Sequence, residues 1–266
     1  MQKQTNPQDK NVGNLGDFIK HAALVKLLKI LAEIEAEKPI IYLDPFAYKI
    51  RAKIADAENW QSFFEDFKQK DYKDYKALET SYVKQGQYLC SPGIARAILP
   101  DNRILILAEK HKATREKLLE QIAYDKPSYE TSFVFDDAFK IKIFFETTAK
   151  TKMFWLNASE IVFPQGAVFA LIDDFTLSSD TWHGSLAAIN LLHDTSKPAI
   201  IETFHAQKKS ESSFKWRESL DNFAGPIATI RRGDPFSHYE YFLAVYATNN
   251  IAERVRAILK NLGWQM

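Results

Sequence analysis

Val168-Phe169-Ala170-Leu171-Ile172-Asp173-Asp174 is an apolar run halted by two carboxylates. A short stretch of bulky apolar residues without polar alternation reads as a strand of a parallel sheet covered on both faces. Three other stretches repeat the pattern: Ile40-Ile41-Tyr42-Leu43-Asp44, Ile104-Leu105-Ile106-Leu107-Ala108-Glu109 and Phe133-Val134-Phe135-Asp136-Asp137. In open α/β sheets, ligands bind in the crevice beyond the carboxyl ends of the strands. Acidic groups at that rim suit a ligand bearing hydroxyls, amines and positive charge, as a nucleoside-like cofactor does. A single such ending means little, because Asp also starts helices as an N-cap. Four in series point to a site.

Around these runs the chain alternates helix and strand. Phe18, Ala22, Leu24, Val25, Leu27, Leu28, Leu31 and Ile34 recur at three-to-four spacing, predicting a helix from Gly16 to Ala36 with Asn14 or Asp17 as its cap. From Ile54 to Gln87, Trp60, Phe63, Phe64, Phe67, Tyr72, Tyr75, Leu78 and Tyr82 interleave with charged residues. This reads as a helical insertion subdomain (54–88) between the first two strands. Further helices are expected at Ser91–Leu99, Thr114–Tyr124, Ser179–Leu192, Ser213–Phe223 and Ile251–Leu262, the last closed by Gly263. Further strands are expected at Ala199–Thr203, Pro226–Arg231 and Tyr239–Ala247. With no internal repeat, a single doubly wound α/β domain over 1–266 is the economical reading.

Composition narrows the classes. The 266 residues are 46% hydrophobic and 26% charged, ordinary values for a globular chain with a large core. Thirty-five Lys and Arg against 34 Asp and Glu leave a net charge of +1, so a nucleic-acid partner would need a local basic face. One cysteine, Cys90, excludes an internal disulfide and fits a reducing compartment. The polar stretch Gln2–Lys10 lacks the apolar centre of a secretory signal, and no apolar window of about 18 residues suggests a membrane span. A cytoplasmic address is expected.

Gly13-Asn14-Leu15-Gly16-Asp17-Phe18-Ile19-Lys20-His21 places two glycines, Asp17, Lys20 and His21 where a loop runs into a helix. Free N–H groups there could meet an anion. Equally, Asp17 and Lys20 could pair on the surface for about 0.3–0.5 kcal/mol, and a lone helical histidine is more often structural.

Taken in order, Gly13-Asn14-x-x-Asp17-x-x-Lys20-His21, Pro39-x-x-Tyr42-Leu43-Asp44 and Ser91-Pro92-x-Ile94-Ala95-Arg96 resemble the 23S rRNA adenine-N6 methyltransferase J (RlmJ) family, also labelled as involved in use of external DNA. The likeness runs from about Gly13 to Ala247 and is weakest after Thr203. It implies a class I methyltransferase (Rossmann-like) fold using S-adenosyl-L-methionine, with nucleic acid, rRNA in particular, as partner. It also implies that His21, Ser91, Glu109, Asp137 and Asp173 stand at cofactor-binding positions, and that Asp173 is the catalytic carboxylate holding the acceptor amine. Glu109 could accept both ribose hydroxyls through its two oxygens, or could merely cap the next helix. Ser91 could hold the methionine portion, and Ser-Pro is also a common N-cap followed by proline.

The departures from the family are local. Its glycine-rich turn after the first strand is here Asp44-Pro45-Phe46-Ala47-Tyr48-Lys49-Ile50-Arg51, with Phe46 in place of a cofactor-contacting His. The Asp-Pro-Pro-aromatic turn of adenine-N6 methyltransferases, whose ring stacks on a flipped base, is here Asp173-Asp174-Phe175-Thr176. Asn6 and Gln8 replace a substrate-contacting Tyr and His. A non-catalytic nucleotide- or nucleic-acid-binding relative is therefore the alternative to an active enzyme.

Other chemistry is thin. The six histidines show no paired helical spacing, and a structural zinc site is not expected. Asp136-Asp137 and Asp173-Asp174 could hold Mg²⁺, but successive strand residues point to opposite faces. No metal is expected. Basic candidates for a nucleic-acid face are Lys20, Lys208-Lys209 ahead of Phe214-Lys215-Trp216-Arg217, and Arg231-Arg232 ahead of Phe236 and Tyr239. Lys68, Lys70, Lys73 and Lys76 add a patch on the insertion. The plainer reading of each is a solvated face whose aromatics pack inward.

Overall fold

A computed structural model describes residues 13–54, 60, 62–63, 72–124, 127–136, 140, 153–156, 159–162, 166–173, 197–208, 226–233 and 239–266. Its strands are β1 (Ile41–Asp44), β2 (Arg51–Lys53), β3 (Gln87–Leu89), β4 (Ile104–Ala108), β5 (Thr131–Phe135), β6 (Met153–Leu156), β7 (Ser159–Val162), β8 (Val168–Asp173), β9 (Ala199–Lys208), β10 (Ala228–Gly233) and β11 (Tyr239–Ala247). Its helices are α1 (Leu15–Ile34), α2 (Lys73–Val83), α3 (Ser91–Ile98), α4 (Lys112–Tyr124) and α5 (Asn249–Asn261). The helices expected at 179–192 and 213–223 lie outside the described residues, as do Asp137, Asp174, Phe175, Thr176 and Lys209.

The four apolar runs became β1, β4, β5 and β8. With β9 they form five parallel strands in a seven-stranded sheet ordered β10-β11-β9-β8-β1-β4-β5. β11 runs antiparallel to both its neighbours, β9 and β10. Every residue of β1 and β4 is buried, as expected of central parallel strands.

α1 crosses one face of this sheet. It is apolar nearly all round, and Phe18, Leu24, Leu27, Leu28 and Leu31 are fully buried. Its close approach depends on Gly16, where a Cβ would lie 2.8 Å from the rings of Phe204 and Tyr241. The insertion begins and ends side by side, because β2 and β3 pair antiparallel at its base. Gln121 of α4 fastens that base: its Oε1 accepts the Ile50 and Arg51 N–H groups and its Nε2 donates to the Arg51 carbonyl. Neither short strand was expected, since three residues offer too little periodicity to read. Above the base, Trp60, Phe63, Tyr72 and Tyr75 gather around Phe18 at ring-centroid distances of 5.3 to 5.9 Å. β6 and β7 form a second unforeseen pair. No helix among the described residues is long and apolar enough to cross a membrane.

Candidate functional site

At the carboxyl edge of the parallel strands the side chains alternate between faces. Leu171 pairs with Glu202 and Asp173 with Phe204, so Asp173 and Glu202 lie on one face of β8 and β9. Tyr42 pairs with Phe169, which puts Tyr42 and Asp44 on that same face, beneath α1.

The N-terminus of α1 is built to reach this edge. Asn14 is the N-cap, and its side chain accepts the Asp17 N–H at 2.9 Å. Asp17 replies through Oδ2, which accepts the N–H of Gly13 at 2.9 Å; Gly13 adopts a φ of 82°, open to glycine at little cost. These N–H groups, expected to be available to an anion, are spent on the chain's own cap. The other Asp17 oxygen accepts from Lys20 at 2.9 Å, and the same ammonium reaches Asp173 Oδ2 at 2.5 Å.

Lys20 was expected on a nucleic-acid-facing surface or in a weak exposed pair. It is only 3% exposed, and its charge is taken up by two carboxylates. Burial opposes that charge, yet Asp17 and Asp173 outweigh it and hold the amine well above its ordinary range. Burial likewise pushes the Asp17 carboxyl up, but Lys20 and then His21 bring it below the usual value. Sequence spacing could show the Asp17–Lys20 half of this clamp. Nothing local could show the half that reaches Asp173.

Asp44 is fully buried. Its Oδ2 accepts from the Ser91 hydroxyl at 2.8 Å and from Tyr42 at 3.2 Å, while Oδ1 accepts the Phe46 N–H at 3.0 Å. Burial, opposed by the Ser91 bond and reinforced by the Asp173 charge, pushes Asp44 up to about 6. Ser91 is the first residue of α3 rather than its cap, since Cys90 holds that place without a side-chain bond. The hydroxyl thus serves the strand end instead of the helix. Phe46 and Pro45 are half-buried beside it.

Glu109 follows β4 and its Oε1 accepts the His111 N–H at 2.6 Å, the helix-starting role foreseen as one alternative. Burial, opposed by that bond, raises it to about 7. His21 is placed among aromatics: it stacks on Tyr88 at 5.9 Å, and its Nδ1 lies 3.5 Å from the Tyr75 hydroxyl. It is 2% exposed, and burial followed by the Lys20 charge pushes it down to about 3, so it is neutral at pH 7. The fold therefore gathers Ser91, Asp44, Lys20 and Asp173, with Glu109 at the next strand end, and turns His21 toward the insertion.

Glu202 was missed by sequence reasoning. It is 0% exposed, and neither carboxyl oxygen has a hydrogen-bond partner. Burial outweighs the nearby Lys20 charge and, with Asp173 adding to it, holds the carboxyl well above its ordinary range. The one available signal was an acid interrupting Ala199-Ile200-Ile201-Glu202.

Among the basic candidates, Arg231 is exposed but pairs with Glu240 at 2.6 Å, and its guanidinium sits 5.1 Å from the Phe242 ring centre. Arg232 is exposed beside it. Lys208 ends β9. Lys73 and Lys76 lie exposed on α2 while Tyr75 and Glu79 point inward, the plainer of the two arrangements foreseen there. No group of three or more His, Cys, Asp or Glu among the described residues is placed to hold a metal ion.

A sheet with six strands running one way, ordered so that one antiparallel strand slots between the last two on one side, is the class I S-adenosylmethionine-dependent methyltransferase fold. Three solved structures illustrate the likeness. A protein from Legionella pneumophila of the DUF519 family model superposes with a TM-score of 0.62 at 16% identity, covering 94% of this chain and 92% of that one. The O-methyltransferase TomG from Streptomyces achromogenes, in complex with SAM, gives 0.42 at 12% identity over 85% and 79% of the two chains. TYW2 from P. horikoshii, in complex with MeSAdo, gives 0.38 at 9% identity over 89% of this chain and 63% of that one. No protein-family model and no curated protein matches the sequence.

Proposed function

We propose that the protein is an S-adenosylmethionine-dependent methyltransferase related to the rRNA adenine-N6 (RlmJ-like) enzymes, the group to which the DUF519 model belongs. The observation that carries this reading is Asp173, held at the end of β8 by an ammonium that is itself fixed to the cap of α1. That clamp is assembled from the same Gly13, Asn14, Asp17 and Lys20 that carry the sequence resemblance.

The donor set fits an adenosine-based cofactor. Glu109 has a second oxygen for ribose hydroxyls, and Ser91 and Asp173 offer a hydroxyl and a carboxylate to an amino-acid end. When bound, S-adenosylmethionine supplies an electrophilic methyl group. The residues of this chain have the other tasks. Asp173, at the end of β8, offers carboxyl oxygens as acceptors, and an exocyclic amine donating to one of them is held with its lone pair free for attack. Arg232, exposed on β10, and Lys208, the last residue of β9, are the phosphate-contacting candidates.

A second reading, a non-catalytic binding module, is favoured by one feature: the backbone after β1 turns through Pro45 and Phe46, whose N–H is already committed to Asp44. Calorimetric titration with S-adenosylmethionine and S-adenosylhomocysteine tests both readings. Micromolar binding abolished by Glu109→Ala, with methyl transfer to rRNA lost in Asp173→Asn, is expected for the enzyme. Binding without transfer leaves the module, and no heat at millimolar ligand ends the methyltransferase reading.

A further inference from the structure

Glu202 is a buried acid with no hydrogen-bond partner. Such a group is costly unless something comes to meet it. Among the described residues, the charged and titratable groups around it are few. Lys20 of α1 and Asp173 of β8 act on it directly, and Tyr42 of β1 feels its charge. Asp17 and Asp44 stand one bond further out, on Lys20 and Tyr42. From β11 it is paired in register with Val245, which is apolar.

The position of Lys20 makes this arrangement suggestive. Its ammonium lies 2.5 Å from Asp173 and 5.0 Å from the centre of the Phe204 ring. Phe204 is two residues beyond Glu202 on the same face of β9, a separation of about 7 Å along a strand. Lys20 already acts on Glu202 through space, and its flexible stem and compact point charge let rotation along the whole side chain redirect that charge toward β9. The geometry points to Glu202 as a second seat for the Lys20 ammonium: a ligand's ammonium group takes Asp173, Lys20 turns onto Glu202, and Glu202 releases its proton to solvent. One cation enters and one proton leaves, so the buried charge is unchanged. Lys20 stays protonated throughout, exchanging one carboxylate partner for another. Glu202 is thereby a positioning residue for Asp173, clearing it for a ligand without stranding a buried lysine. Burial favours a neutral Glu202 until Lys20 arrives.

The ligand test rests on the methyltransferase reading; a ligand-free test does not. In calorimetry repeated in buffers of different ionisation enthalpy, S-adenosylhomocysteine, which carries an α-ammonium, is expected to release about one proton on binding. 5′-Methylthioadenosine, which lacks that ammonium, should release none, and Glu202→Gln should abolish the release with S-adenosylhomocysteine. Equal release from Glu202→Gln and the wild type overturns the proposal, as does binding of S-adenosylhomocysteine without release. Absence of any binding counts against the methyltransferase reading alone, and the ligand-free test then decides. There, infrared difference spectra should show a protonated-carboxyl band that is present in the wild type and absent in Glu202→Gln. It should vanish in Asp173→Asn, as Lys20 moves across, and return in Asp173→Asn/Lys20→Met. A band that persists in Asp173→Asn overturns the proposal whether or not Glu202→Gln folds.

Discussion

Replacing Lys20 by methionine keeps the length of the side chain and deletes its charge, leaving two carboxylates facing each other under α1. The lysine side chain is 4% exposed, and those of Asp17 and Asp173 are 17% and 22% exposed. Removing one partner from a fully buried pair costs 3–5 kcal/mol. The partial exposure of both carboxylates screens part of that, and Asp17 keeps its bond to the Gly13 N–H, so the expected loss is about 3 kcal/mol, the lower end of that range. Urea unfolding followed by circular dichroism measures it as a fall in midpoint at unchanged slope. The deficit should shrink on acidification, because the orphaned carboxylates can then take up protons. Adding Asp173→Asn should recover part of it at neutral pH. A loss under about 1 kcal/mol, the worth of an exposed pair, would refute the clamp as a buried device.

Two further outcomes are expected. Gly93→Ala should destabilise by about 3 kcal/mol or more, because a Cβ there would lie 2.0 Å from the Ile50 backbone carbonyl oxygen, which cannot swing aside; thermal unfolding at native-like stability would contradict that contact. Stability should decline as pH rises from about 4 to 8, as read by chemical unfolding across that range. Burial raises Asp44 to about 6, Glu109 to about 7 and Glu79 to about 8, so the native state keeps protons that the unfolded chain has shed. Asp17, lowered chiefly by Lys20 against the effect of burial, and His21, pushed down to about 3 by burial and then by the Lys20 charge, work in the opposite direction at the acid end, so the decline is steepest above about pH 6. A profile that rises toward pH 8 would overturn these assignments.

The sheet was legible wherever apolar residues ran unbroken, as in β1, β4 and β8. Tyr239–Ala247 was found with its bounds, though its antiparallel direction was not visible from composition. β9 was expected to stop at Thr203; the ladder to β11 continues to Lys208, because a mid-sheet strand is fixed by its partner as much as by its own side chains. The site was legible at the strand ends and in the Asn14–Lys20 motif. It was not legible where function depends on contacts between distant segments: Lys20 with Asp173, Ser91 with Asp44, and Glu202 close to the first of these pairs. A carboxylate inside an apolar strand gives no hint from its neighbours in sequence whether it is an error of pattern or a member of a network.

The rings of Trp60, Phe63, Tyr72 and Tyr75 closing on Phe18 have an evolutionary corollary. They make the insertion and the first helix a single inherited part, since one aromatic residue roots both. A lineage that shortened or exchanged the insertion would have to rebuild the helix that seats Asp173, so changes in whatever the insertion meets are drawn along with changes at the rim of the sheet.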